Sequence, residues 1–161
     1  MSEDRIDGVA RHRTYWPETF DERYLPLVFA LIRARETHAR YTESILARYG
    51  LSPGELDVLA SLRRSPAPWV LTPSELRRSM FITSGGLAKI LHQLEARGMI
   101  ARLTDHADRR VKPVQLTAAA KTIIEAAVAD IVASGSARLR AILSDPEIAQ
   151  ATALLAKLAD A

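Results

Sequence analysis

Apolar residues recur every three or four positions along most of the chain, which is the period of an amphipathic helix. The longest stripe predicts a helix over about residues 26–49, ended by Gly50. Ser52-Pro53-Gly54-Glu55 has the spacing of a capping box and predicts the start of a second helix. Further stripes predict a long helix from Thr117 to about Leu143 and a last helix from Asp145. Runs of β-branched residues are few, so we expect a mainly helical protein with only a small β component.

The pattern changes between residues 71 and 116, where two short helices are followed by two short strands. Thr72-Pro73-Ser74-Glu75 has the spacing of a capping box, with proline at the first helical position. The second helix ends at Gly98, and residues 99–104 and 111–116 are typical of strands on either side of a charged loop. Trp69-Val70-Leu71 can add a third strand. The apolar positions of the second helix are Leu87, Ile90, Leu91 and Leu94.

This order of elements predicts a winged helix-turn-helix over residues 51–116, a unit that reads DNA. The helices outside it, at residues 15–49 and 118–161, have long apolar faces that a unit of about 60 residues cannot cover. We expect these helices to form a homodimerisation region, so that the 161 residues make one domain. A two-fold dimer places two reading helices about one DNA turn apart and predicts a pseudo-palindromic operator in double-stranded DNA. A helical bundle within one chain is the alternative.

The connecting segments predict less regular structure. The chain is polar up to about residue 14, and we expect that stretch to be mobile. Tyr15-Trp16-Pro17 introduces two large aromatic side chains, and because an exposed tryptophan is unfavourable we expect this arm to pack back on the body. Ser134-Gly135-Ser136 interrupts the long helical stripe, and we expect a bend there.

Composition excludes several classes of protein. The chain has 161 residues, 48% of them hydrophobic, and no cysteine, so a core is possible but a disulfide or thiolate zinc site is not. No apolar run approaches the roughly 20 residues of a spanning helix, and the N-terminus lacks the apolar core of a signal peptide. We therefore expect a cytoplasmic protein without membrane association, cofactor or metal.

Charge is distributed unevenly along the chain. The net charge is +3, but residues 60–112 carry ten basic and four acidic residues, a net +6, which leaves −3 for the remainder. A basic centre of this kind suits a polyanion such as DNA. A solvated basic face is the commoner meaning of such a bias, and the helix-turn-helix pattern at the same place favours DNA.

The early, polar side of the second helix is expected to face DNA. The Thr83 and Ser84 hydroxyls can donate to phosphates or base edges, and Lys89 can reach a groove or a phosphate. Gly85 and Gly86 each cost about 1 kcal/mol of helix stability relative to alanine. Bare backbone at this helix start would let its positive pole approach a phosphate closely, although a plain turn explains the glycine pair equally well.

The loop between the two strands carries adjacent arginines, Arg109 and Arg110. On a projecting hairpin such arginines can enter a minor groove, where the negative potential is concentrated. Asp108 would repel DNA unless it is paired, so we expect it to orient one arginine. One arginine is then expected to contact DNA and the other to form an ion pair inside the wing.

Three segments together carry a resemblance to a known family. They are LTPSEL at residues 71–76, SGGLAKILHQLEARGMIARL at residues 84–103, and DHADRRVKPVQLTAAA at residues 105–120. With them, the chain from Pro26 onward resembles the MarR family of bacterial transcription regulators. The resemblance implies a homodimer with one winged helix per subunit that represses nearby genes. It also implies relief of repression by a small, often aromatic or phenolic ligand bound between the dimer region and the reading unit.

The segment ELDVLASLRRSPAPWVLTPSEL resembles the branch of that family that includes urate-responsive regulators. This resemblance implies a ligand pocket that contains Trp16, Asp57 and Arg102. The branch has a further arginine in the recognition helix, where this chain has Ile90, which cannot pair with an anionic ligand. Urate is therefore not the expected ligand. A plain ion pair between Asp57 and Arg102, tying the scaffold to the wing, explains these two residues at least as well.

Two other classes of function are weighed against this one. An enzyme is not expected, because the four histidines have no metal-ligand spacing and no glycine-rich phosphate loop follows a strand. A winged-helix protein-interaction module without DNA binding is the alternative, and the basic excess and the arginine pair disfavour it. The sequence thus predicts a sequence-specific DNA-binding transcriptional regulator, a homodimeric repressor relieved by a small aromatic or anionic ligand.

Overall fold

The computed structural model describes residues 7–79, 84–103 and 112–159, and all structural statements below concern these residues. Two single-turn 3₁₀ helices, Pro17–Thr19 and Ala47–Tyr49, accompany the main elements. The main elements are α1 (Gly8–Tyr15), α2 (Tyr24–Leu46), α3 (Pro53–Arg64), β1 (Val70–Leu71), α4 (Pro73–Ser79), α5 (Ser84–Ala96), β2 (Ile100–Arg102), β3 (Val114–Leu116), α6 (Ala118–Arg140) and α7 (Asp145–Ala159). The mainly helical fold with a small sheet is confirmed.

The chain divides into two compact units, with the boundary between Ser44 and Ile45. In the first unit, the Asp7 carboxylate caps α1 by accepting from the amides of Val9 and Ala10 at 3.0 and 3.2 Å. A Cβ added at Gly8 would lie 2.6 Å from the Phe29 ring, so α1 and α2 pack closely there. The prediction of a mobile stretch up to residue 14 is therefore wrong for residues 8–14, which are helical because Asp7 satisfies the first amides.

The aromatic residues after α1 lie differently from the expectation. Trp16 keeps 59% of its surface exposed in the single chain, so the expectation that its side chain is covered is wrong, although α1 of the same arm packs on α2. Its ring stacks on His12 instead, with the centroids 5.1 Å apart. The His12 ring nitrogen is in turn hydrogen-bonded to the Thr19 hydroxyl at 2.7 Å.

The second unit contains every fully buried apolar side chain among the described residues. Helices α3, α4, α5 and α6 supply most of this core, and the sheet covers one side of it. The sheet is antiparallel in the order β1-β3-β2, with Val70 opposite Gln115 and Ile100 opposite Leu116. The three predicted strands are thus confirmed. The largest fully buried side chains include Leu46, Leu59, Leu62, Leu76, Leu94 and Ile124.

The two long helices differ in detail from the sequence prediction. Helix α2 ends at Leu46, and the chain closes with the 3₁₀ turn Ala47–Tyr49 before Gly50 takes the left-handed conformation at φ +62°. Helix α6 runs without interruption through Ser134-Gly135-Ser136 to Arg140, so this segment does not end the helix, and the bend expected there stays a prediction. The Ser134 hydroxyl donates to the Asp130 carbonyl at 2.5 Å, and this keeps the polar side chain inside the helical pattern.

In the described segments, none of the helices combines the length and the apolar character that a membrane-spanning helix needs.

Candidate nucleic-acid interface

Helix α4 begins with the predicted capping box. The Glu75 carboxylate accepts from the Thr72 amide at 2.7 Å and from the Thr72 hydroxyl at 2.8 Å, while the Glu75 amide donates to that hydroxyl at 3.2 Å. The hydrogen bond from the Thr72 amide is the main reason that the pKa of Glu75 lies below its ordinary value. Leu76 is the buried residue of α4 and fixes this short helix on the core.

Helix α5 has a buried side and an exposed side. Leu87, Leu91 and Leu94 are buried at the predicted helical spacing. The opposite side carries polar or bare positions that the chain leaves exposed: Gly85, Lys89, His92 and Gln93. The leucines therefore hold α5 on the core while its other side is open to a partner.

The first turn of α5 is open above its backbone. Among the described residues, a Cβ added at Gly85 would meet nothing within 4 Å, so their packing does not require glycine there. Gly86, beside it, is half-buried. Thr83 and the side chain of Ser84, predicted to contact DNA, lie outside the described residues, as do the wing-tip residues Asp108, Arg109 and Arg110.

The far end of α5 is tied down on two sides. Arg97, just after the helix, pairs with Glu55 of α3 at 2.7 Å. Glu95, in the last turn, pairs with Arg102 of β2 at 2.9 Å. The two ion pairs connect α5 to the scaffold on one side and to β2 on the other.

The three residues predicted to line a ligand pocket do not all belong to the same unit of the chain. Trp16 belongs to the first unit, and Asp57 and Arg102 belong to the second. Asp57 lies on α3 and is exposed. Partial desolvation still raises the pKa of its carboxyl, and the positive charge of Arg64 opposes this rise. The alternative of an Asp57–Arg102 ion pair is wrong, since the carboxylate that Arg102 binds is that of Glu95.

Ile90 occupies the position where the urate-responsive branch has an arginine, and it has a packing role here. A Cβ added at Gly54 would lie 2.6 Å from the Ile90 Cδ1 atom. The isoleucine side chain therefore fits against bare backbone in the first turn of α3. This contact accounts for the apolar residue without any ligand.

A cluster around Trp69, which we call the Trp69 clamp, was not predicted. Arg63 and Lys121 lie over the Trp69 ring, with their charged groups 5.6 and 5.5 Å from its centroid. Both also bind Glu125, at 2.6 and 3.4 Å, and the hydrogen bond from Arg63 lowers the pKa of that carboxyl. The clamp links α3 and α6 to the residue that precedes β1, and so fixes the wing sheet on the scaffold.

The only sequence signal for this cluster is the i,i+4 spacing of Lys121 and Glu125. Arg63 and Trp69 come from another part of the chain, so spacing could not have connected them.

Two hollows adjoin these elements. An apolar groove of about 380 Å³ runs between α3 and α6, with Ala60, Ile124 and Val128 in its lining and the Arg63–Glu125 pair beside them. A smaller hollow of about 260 Å³ lies between α4, α5 and β2. It combines apolar walls from Pro73, Leu87 and Leu91 with the two arginines Arg77 and Arg102.

Comparison with known proteins gives consistent results. The sequence model described as "MarR family" matches residues 49–111, which include α3, α4, α5 and the first wing strand. The regulator PecS of Dickeya dadantii, an HTH-type transcriptional regulator, is 32% identical over 111 residues. That match covers 69% of this chain and 66% of PecS, just under two thirds of the relative's length.

A second relative is similar over a larger share of its length. The HTH-type transcriptional repressor MdtR of Bacillus subtilis is 32% identical over 116 residues, which are 72% of each chain. Among solved structures, a mutant of MarR from Escherichia coli in complex with operator DNA aligns with a TM-score of 0.73 and 25% identity. The alignment covers 83% of this chain and 94% of that one.

Proposed function

This chain belongs to the MarR family, and from that membership we propose that it is a transcriptional regulator that binds double-stranded DNA through α5 and the wing. The observation that carries the proposal is the two-sided character of α5. Three leucines fix the helix on the core, and the opposite side, with Gly85 and Lys89, is exposed. A helix held in this way can lie in a major groove without losing its packing.

Electrostatics supports the same function. Lys89 is exposed on α5 and can neutralise a phosphate, and the open backbone at Gly85 lies near the positive pole of the helix. From the sequence, Arg109 and Arg110 add two charges at the wing tip. The E. coli MarR mutant with a similar fold was solved with operator DNA, which supports the same mode of binding here.

The regulator acts as a homodimer in this proposal. Helices α6 and α7 and the turn between them carry large apolar side chains that the single chain leaves 43–71% exposed. A second copy related by a two-fold axis would cover them and set two α5 helices for a pseudo-palindromic site. The side chains concerned are Val132, Leu139, Ile142, Leu154, Leu155 and Leu158.

Binding of a small aromatic or anionic ligand relieves repression in this proposal. The apolar groove between α3 and α6 can accept an aromatic ring, and the hollow with Arg77 and Arg102 can accept a carboxylate. Trp16 and Asp57 remain candidate ligand contacts from the family resemblance. A ligand that prefers one dimer arrangement shifts the population toward it and so changes DNA affinity.

The experiment starts from DNA that the protein itself selects. A duplex enriched from a random-sequence library by the purified protein is compared with its shuffled sequence by fluorescence anisotropy over a salt series. We expect the selected duplex to bind about 10³-fold tighter or more, with affinity that falls steeply as salt rises. Replacing Arg109 and Arg110 together by alanine should weaken binding to both duplexes, and unchanged affinity would show that the wing assignment is wrong.

The alternative function has its own outcome in this assay. A winged-helix module that binds only proteins would enrich no sequence and bind neither duplex even at low salt. That result would contradict the proposal as a whole.

A further inference from the structure

Three contacts fasten the C-terminal half of α5 to the start of α3. They are made by Gly50, Gly54, Glu55, Ile90 and Arg97, which we call the junction anchor. The contacts are the Arg97–Glu55 ion pair, a hydrogen bond from Arg97 to the Gly50 carbonyl, and the packing of Ile90 on Gly54. None of them involves the exposed side of α5 that the proposed function assigns to DNA.

The ion pair is built into the cap of α3. The Glu55 side chain is nearly buried, and one of its oxygens accepts from the Ser52 amide at 2.8 Å and from the Ser52 hydroxyl at 3.1 Å. Its other oxygen accepts from Arg97 at 2.7 Å. One carboxylate therefore caps α3 and holds the end of α5, so neither helix can tilt without disturbing the other.

The other two contacts also hold α5 against the start of α3. The second guanidinium nitrogen of Arg97 donates at 2.9 Å to the carbonyl of Gly50, a residue in the left-handed conformation. Ile90, two turns earlier, lies against the bare backbone of Gly54, where any larger residue would push it away. The helix is thus held at two points about 10 Å apart along its axis.

We propose that the junction anchor sets the angle at which α5 meets DNA, so that Glu55 and Arg97 are positioning residues for sequence-specific binding. The inference rests on the proposed function. Gly85 lies twelve residues before Arg97, a distance of about 18 Å along a helix. A tilt of about 10° at the anchored end would then move the first turn by about 3 Å, which is more than a base contact tolerates.

Variants of the full chain test this role with the selected duplex and its shuffled sequence as probes. We expect Arg97→Gln to weaken binding of the selected duplex about tenfold, the cost of one or two misplaced base contacts, and to change binding of the shuffled duplex by less than about twofold. Arg97→Lys keeps the charge beside Glu55 and should restore much of the lost preference. Glu55→Gln keeps an oxygen for the cap, and the double variant should be no weaker than Arg97→Gln alone, because the two residues act as one unit.

Arg48→Gln is the control. Arg48, in the 3₁₀ turn Ala47–Tyr49, pairs with Asp130 of α6 at 3.1 Å, so the change again removes the cation of an arginine–carboxylate pair in the second unit. This pair does not involve α5, and neither residue belongs to the Trp69 clamp or lines the two hollows. We expect Arg48→Gln to leave the preference for the selected duplex within about twofold of the wild type. Melting temperatures of all variants show whether any has lost its fold.

Each other outcome overturns the inference. If Arg97→Gln keeps the full preference, the anchor does not set the angle. If binding of both duplexes falls together and the salt slope decreases by about one charge, Arg97 itself contacts a phosphate. An equal loss in Arg48→Gln would assign the effect to general loosening of the unit. If the wild type shows no preference for any selected duplex, the proposed function fails and the inference fails with it, whereas the first three outcomes leave that function intact.

Discussion

Leucine side chains are buried in the centre of the second unit, but those of its last helix, α7, are about half exposed. Leu59 and Leu94 are fully buried among α3, α5 and the sheet, whereas α7 buries none of its residues and leaves Leu154, Leu155 and Leu158 about half exposed. The buried apolar residues in the centre of the second unit therefore stabilise the fold of one chain. Those of α7 form a surface that the single chain leaves uncovered, which supports the proposed dimer.

The largest effect on the free energy of unfolding is expected from a change in the buried centre of the second unit. Leu94→Ala removes a fully buried side chain and should lower the free energy of unfolding by about 2–5 kcal/mol, since the cavity adds to the lost burial. Leu155→Ala, the matched change on α7, should cost about 1.5 kcal/mol or less. Urea denaturation of both variants at a protein concentration low enough to keep the chain monomeric measures the difference, and equal losses there would remove the distinction between the two regions.

The next effect should appear in self-association. Leu154→Gln with Leu158→Gln places two polar side chains on the apolar face of α7 and should weaken the dimer more than about tenfold, because each change occurs twice at a two-fold interface. Sedimentation equilibrium at several protein concentrations gives the dissociation constants. A wild-type chain that stays monomeric at micromolar concentration would contradict the proposed dimer.

The matched control for this pair lies on the other side of the same helix. Ala149 and Ala153 are exposed and have the same four-residue spacing, but the helical period turns them away from the leucines. Ala149→Gln with Ala153→Gln adds the same two side chains there and should leave association unchanged. An equal loss in both pairs would mean that the leucine face is not the interface.

A smaller, pH-dependent effect on stability is expected from Glu55, in the second unit. Burial by itself raises the pKa of Glu55, but hydrogen bonds from Ser52 and the charge of Arg97 outweigh it, so the pKa lies below its ordinary value. A carboxyl with a lowered pKa stabilises the folded state above its unfolded pKa, and this stabilisation is lost as the pH falls through the folded pKa.

Glu55→Gln should therefore cost about 1–2 kcal/mol of unfolding free energy at neutral pH. The cost should shrink as the pH falls through the lowered pKa of the folded-state carboxyl, because the wild-type carboxyl is then protonated as well. Denaturant unfolding across this pH range tests the prediction. A difference that stays constant with pH would mean that the charge of Glu55 contributes nothing.

The smallest effect is expected in the first unit. Arg13 and Glu22 are 2.6 Å apart, as close as Arg97 and Glu55, but their side chains are mostly exposed. Water screens such a pair, so Arg13→Gln should change the free energy of unfolding by about 0.5 kcal/mol at most. Measured beside Arg97→Gln under the same conditions, it shows whether burial rather than distance decides the strength of an ion pair here.

Local motifs were predictable from the sequence, because the atoms involved lie within a few residues. Both capping boxes, at Ser52–Glu55 and Thr72–Glu75, are present as predicted. The buried leucines of α5 follow from helical spacing in the same way. Asp7 ahead of α1 was also a readable capping signal, and neglecting it produced the wrong prediction of a mobile start.

Contacts between distant parts of the chain were not predictable. Glu55 and Arg97 are 42 residues apart, and no spacing rule selects that pair over Asp57 with Arg102. The Trp69 clamp and the fit of Ile90 on Gly54 likewise depend on how helices pack. The predicted DNA contacts on α5 and the wing and the ligand contacts remain predictions.

DNA is proposed to lie on the first half of α5, and amide hydrogen exchange with and without the selected duplex tests this most directly. Binding should slow exchange over residues 84–90, at the exposed start of the helix, and leave residues 145–159 of α7 unchanged. Protection confined to α7 or to the first unit, with none at the start of α5, would contradict the assignment of α5 as the helix that reads DNA.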